Sequence, residues 1–198
     1  GPLTIIDTSA DCFYDDRIKL NTDLAETLNQ EILQLVQSGC NFIQIDEPLF
    51  ARQVEDALSF GMDGIEKCFH KVPNEVTKII HICCGYTDRL DDQNYMKADP
   101  QSYFALTDDL NVMKVDQISI EDAHFQNDLS LLDKLTDKTL IFGVLNVTKS
   151  QIETTEEIHI RLSEVLNYID RERLIVSPDC GLGLLSTIQA KQKLESHV

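Results

Sequence analysis

Tryptophan is absent from the 198 residues, and cationic side chains are scarce: 17 Lys and Arg stand against 34 Asp and Glu, a net charge of −17. A surface so short of positive charge repels polyanions at long range, which argues against nucleic acid or an anionic membrane as a partner. No apolar run reaches the roughly 18 residues expected of a membrane span, and no basic-then-apolar leader opens the sequence. Cysteine is present but dispersed: six residues with no dense framework fit a reducing compartment better than a secreted disulfide scaffold. There is no fixed-period repeat and no low-complexity tract. The composition, 42% apolar, then describes a soluble, cytoplasmic chain able to bury one core.

What is present is alternation. Short apolar runs rich in Ile and Val predict strands at Leu3–Asp7, Phe42–Asp46, Lys78–Cys83, Gln117–Glu121, Leu140–Leu145 and Leu174–Ser177, of the kind buried on both faces. Helical spacing fills the gaps. Asn21 to Ser38 places Leu24, Leu28, Ile32, Leu35 and Val36 on one face, with Gly39 as the stop. Thr154 and Glu157 have capping-box spacing ahead of Ile158, Leu162, Val165, Leu166 and Ile169. Further helices are expected near Val54–Phe69, Ser102–Met113, Leu129–Leu135 and Ser186–Leu194. Regular βα alternation predicts an α/β fold with a parallel sheet, and residues 1–198 are expected to form a single catalytic barrel domain. Six βα units fall short of the eight of a closed (β/α)8 TIM-type barrel, so the expectation is a barrel with only its last six units in this chain. A complete six-stranded open sheet is the competing architecture. The segment Gly85–Gln101 lacks apolar periodicity and is either a lid or a surface excursion.

The strand ends carry the chemistry. His81 and Cys83 close one run, Glu121 the next, and Cys180 the last. In a parallel βα fold these ends share one face, where active sites are built. Two thiolates, an imidazole and a carboxylate suit Zn²⁺ better than Mg²⁺ or Ca²⁺, which prefer oxygen. Each residue also has a plain packing role available. Asp122 and His124 compete with Glu121 for a place at the metal. Cys84, on the opposite side of its strand from Cys83, reads as core. Cys12, Cys40 and Cys68 read as structural thiols. The Gly181–Gly183 turn could present N–H groups to an anion, or simply join strand to helix.

Taken together, Gly1-Pro2-Leu3-Thr4, Gln44-Ile-Asp-Glu-Pro48, His81-Ile-Cys83, Ile118-Ser-Ile-Glu121, Gly143-Val144 and Pro178-Asp-Cys-Gly-Leu182 resemble the catalytic barrel of the cobalamin-independent methionine synthase family and its shorter single-barrel relatives. The resemblance implies zinc on His81, Cys83, Glu121 and Cys180. It places the amino group of an amino-acid thiol on Asp46, with Glu47 beside it as a further substrate-binding candidate. It implies methyl transfer from a 5-methyltetrahydrofolate-type donor to the thiol of homocysteine, forming methionine. Three departures accompany it. The segment Leu145–Ser150 lacks the histidine that full-length members use to move a proton, no tryptophan is available to stack on a folate, and the gap from His81 to Glu121 is longer. Relatives with this zinc site include transferases that alkylate coenzyme M. Alkylation of such a thiol, and a truncated or degenerate barrel that binds metal or partner chains without turnover through its open strand edges, stay open beside the leading reading, as does a homo-oligomer.

Overall fold

The computed structural model describes residues 1–92, 94–99 and 101–196. Five parallel strands stand in sequence order: β1 (Phe42–Asp46), β2 (Thr77–Ile82), β3 (Gln117–Ile120), β4 (Thr139–Leu145) and β5 (Leu174–Pro178). Each crossover passes through helix or 3₁₀ turn, the parallel βα architecture predicted from the alternation. Five of the six expected strands are thereby found.

The sixth is corrected. Leu3–Asp7 lies within helix α1 (Pro2–Thr8), not a strand. Proline at the first helical position has its φ already set for a helix, and Leu3 and Ile6, three residues apart, bury one face. A five-residue apolar run fits either period, and here the helical one wins.

Helix α2 (Arg17–Gln37) starts four residues before the predicted Asn21, because the Asp16 carboxylate accepts the N–H groups of Ile18 and Lys19, both at 3.0 Å. Gly39, at φ +98°, ends it in a conformation that β-carbons resist. Helix α3 (Val54–Asp56) continues through a π-helical turn (Ala57–Gly61) into α4 (Met62–Cys68). Helix α5 (Ser102–Val112) and a 3₁₀ segment (Leu129–Lys134) follow β2 and β3. Helix α6 (Thr155–Val165) carries the capping box predicted from Thr154 and Glu157, and α7 (Thr187–Ser196) closes the described chain.

Strand register sorts the side chains into rows. One face carries Ile45, Ile80, Ile118, Leu140 and Leu174 side by side, then Ile82, Ile120, Phe142 and Val176. These rows belong to the main core. The other face carries Asp46, His81, Ser119 and Ile141 in one row. Strands buried in apolar surroundings on both faces were expected; the second face is instead largely polar, and at its edges Phe42 and Ile175 are exposed.

Candidate metal centre

The imidazole of His81 and the sulfurs of Cys83 and Cys180 lie within 4.8 Å of one another. Their strands are not neighbours, since β3 and β4 stand between β2 and β5. In a flat sheet, three strand spacings would hold them about 14 Å apart. The sheet must therefore curl as an arc of a barrel, bringing its first and last ligand-bearing ends together over the polar face.

His81 sits in β2 with its ring toward that face, and its Nδ1 lies 2.8 Å from Ser119 Oγ on β3. Nε2 is left buried with no hydrogen-bond partner. A buried ring nitrogen without a partner is costly in a protein interior, and a cation beside it removes that cost. Two sulfurs at the same point complete a donor set of the kind zinc favours. The thiols are already polarised for it. Cys83 donates to Cys180, and with His81 close by this draws the Cys180 thiol down to about 4 against the cost of burial. The same hydrogen bond, reinforced by burial, pushes Cys83 far above the usual thiol range.

Glu121 lies beside this group but outside the cluster whose donor atoms all lie within 4.8 Å. It is 1% exposed, and its Oε2 accepts the Cys84 N–H at 2.7 Å. Burial, with the nearby Asp179 charge adding to it, raises its pKa to about 9. The two competitors for its role are engaged elsewhere. Asp122 receives Arg161 through Nε at 2.7 Å and Nη2 at 2.8 Å. His124 meets the Tyr95 hydroxyl. Cys84 is 1% exposed within the core, as its strand position predicted, and Cys12 is exposed.

Asp46 is exposed next to His81 in the sheet register, and Gln44 Nε2 donates to its Oδ1 at 2.8 Å. A cleft of about 300 Å³ joins Gln44, Asp46, His81, Ser119, Ser177 and Cys180. Glu47 does not line it. That side chain is fully buried against α1, accepting the Thr4 N–H at 2.7 Å and the Thr4 hydroxyl at 2.6 Å.

The segment after β2 crosses the strand ends. Tyr86 donates its hydroxyl to Gly181 O at 2.8 Å, Asp91 N–H reaches Thr148 O at 2.9 Å, and Ala98 N–H returns to Cys84 O at 2.6 Å. It therefore straps β2 to the loops after β4 and β5; Gln93 and Pro100 lie outside the described residues. Ser119, Gln44 and Asp179 escaped the sequence reading. Ser119 and Gln44 sit one strand residue or two from a candidate donor, but only register and rotamer reveal the contact.

The whole chain, residues 1–198, matches the family model described as the cobalamin-independent synthase catalytic domain. It is 35% identical over 199 residues to a methionine synthase of Thermococcus kodakarensis and 36% identical over 200 residues to one of Saccharolobus islandicus. Both alignments cover 100% of this chain and 54% of the relative, so the chain spans about half the length of the relatives it matches. A solved B12-independent methionine synthase from a Shewanella species, in complex with selenomethionine, superposes with a TM-score of 0.88 at 28% identity. That match covers 100% of this chain and 58% of the other. A methyltransferase from Methanosarcina mazei shares the fold at a TM-score of 0.55 and 15% identity, over 92% of this chain and 47% of its own.

Proposed function

Because the chain belongs to the family of cobalamin-independent methionine synthase catalytic domains, we propose that it forms a single catalytic domain over residues 1–198. Its proposed reaction is zinc-dependent transfer of a methyl group from a 5-methyltetrahydrofolate-type donor to the thiol of homocysteine, in the cytoplasm. The observation that carries this reading is the buried, partnerless Nε2 of His81 beside two thiols within 4.8 Å.

His81, Cys83 and Cys180 would hold the ion, with Glu121 as the exchangeable fourth donor. When bound, zinc supplies the Lewis acidity that keeps an incoming sulfhydryl as a nucleophilic thiolate at neutral pH. The rest is done by side chains. Ser119 fixes the His81 ring through Nδ1, leaving Nε2 aimed at the centre. Two anionic sulfurs keep local charge high, which favours an electron-rich substrate sulfur. With its pKa raised to about 9, Glu121 would hold a proton whenever it is off the ion, which suits a donor that gives way to an incoming thiol. Asp46, oriented by Gln44, meets the ammonium of an amino-acid thiol across the cleft. The strap from Tyr86 to Gly181 shields the sulfur from bulk water.

The complex of the similar Shewanella protein with selenomethionine, the selenium analogue of methionine, supports an amino-acid product. An acceptor lacking an amino group, such as coenzyme M, would leave Asp46 with no cation to meet beyond its contact with Gln44, so the exposed carboxylate favours homocysteine. Elemental analysis tests the metal half of the proposal: about one zinc per chain in the wild type, lost in Cys180→Ser. Retention of zinc by that variant would contradict the ligand assignment.

A further inference from the structure

Asp179 is 1% exposed and makes an unusual set of contacts. Its Oδ1 accepts two backbone N–H groups from the loop after β3, those of Asp122 and Ala123, each at 3.0 Å. Its own N–H donates to Leu145 O at the end of β4, at 3.0 Å. One residue thus joins the ends of three strands. Two of them carry candidate metal donors immediately alongside: Glu121 precedes Asp122, and Cys180 follows Asp179.

The path between these loops crosses β4 at Gly143. A β-carbon there would lie 2.2 Å from Asp179 Oδ1 and 2.7 Å from Asp179 Cα, so only glycine admits the carboxylate. The β4–β5 register shifts between Gly143 and Leu145, which lets the β5 end lean over its neighbour. The arrangement is costly. Asp179 Oδ2 is buried without a hydrogen-bond partner, and the side chain lies near the Glu121 carboxylate. An apolar residue would spare the orphaned oxygen but leave the Asp122 and Ala123 N–H groups unpaired, so the carboxylate is there to hold that loop.

We propose that Asp179 is a positioning residue for the metal centre: its carboxylate, seated over Gly143, clamps the loop after β3 to the loop after β5 so that Glu121 and Cys180 face one ion. The clamp deepens the proposed function and rests on its metal centre. Outer groups that hold metal ligands typically account for 10–100-fold in metal affinity.

The test uses the protein loaded with Co²⁺, whose thiolate charge-transfer absorption reports sulfur ligation, with affinity measured by chelator competition. Asp179→Ala removes the acceptor, and Asp179→Glu keeps charge and acceptor but displaces them by a methylene. Both should bind Co²⁺ roughly 10–100-fold more weakly, with a reduced and shifted charge-transfer band. Asp179→Asn keeps an oxygen that accepts from both N–H groups and should restore affinity and spectrum to within a few-fold of wild type. If Asp179→Ala fails to fold, the Glu and Asn variants carry the comparison. Variants that melt earlier yet keep wild-type affinity and spectrum would overturn the clamp and leave a purely structural residue. A wild-type protein with no thiolate band would overturn the metal centre itself, a separable outcome.

Discussion

The two faces of the sheet are made from the same strands in the same register, yet they are built on opposite terms. On one, Ile82, Ile120 and Phe142 stand in a row at 0–2% exposure, packed in the core with no polar atom to satisfy. On the other, the adjacent row places Asp46, His81 and Ser119 along a cleft, leaving a buried ring nitrogen with no partner. Because side chains alternate at every residue, one strand such as Ile80-His81-Ile82 serves stability and chemistry by turns. The apolar face accounts for the fold; the polar face gives up stability to keep the candidate donors His81, Cys83 and Cys180 together.

Substitutions on the two faces should therefore separate cleanly. Cys83→Ser should abolish metal retention and turnover while leaving the melting temperature of the metal-free protein nearly unchanged. Phe142→Ala, on the other face, should cost about 3–5 kcal/mol of stability in denaturant unfolding and leave the ligand set intact. If the serine variant unfolded while the alanine variant lost only metal, the division between faces would be wrong.

Asp46→Ala should raise KM for homocysteine roughly 10–100-fold, the worth of a charged hydrogen bond of about 1.5–3 kcal/mol, and leave zinc content unchanged. Equal effects on a thiol without an amino group would remove Asp46 from substrate binding. Ser119→Ala should weaken metal binding by roughly 10-fold through a loosened His81 ring, with little change in thermal stability.

The smallest effect is a count of protons. Near pH 7 Cys180, drawn down to about 4, is already a thiolate, whereas Cys83 and Glu121 still hold theirs. Binding of zinc to all three should release about two protons, so affinity rises with pH with a slope of about two and falls in acid. Calorimetry in buffers of different ionisation enthalpy measures this. Release of only about one proton would place Glu121 outside the coordination sphere.

The sequence made the candidate donors legible because they terminate apolar runs, and a strand's end in a parallel fold has a known face; the structure gathers His81, Cys83 and Cys180 and leaves Glu121 beside them. It also made most strands legible, since Ile- and Val-rich runs between amphipathic segments have few alternatives. Leu3–Asp7 failed because five apolar residues fit two periods, and the proline ahead of them decided for helix. Glu47 was harder to place: the carboxylate next to Asp46 points the other way, and nothing local says that Thr4 waits there to bind it. Ser119 and Asp179 lie inside the motifs Ile118-Ser-Ile-Glu121 and Pro178-Asp-Cys-Gly-Leu182, but nothing in either motif states what they touch. Their roles come from strand neighbours 38 to 57 residues away, which only register reveals.

The zinc K-edge X-ray absorption of the protein, before and after homocysteine, addresses the central claim most directly. Two sulfur scatterers at roughly 2.3 Å with one imidazole should appear first, and a third sulfur should join when the amino acid is added. A shell of oxygen and nitrogen alone, or a sulfur count indifferent to homocysteine, would contradict a centre in which His81, Cys83 and Cys180 present a metal to a thiol.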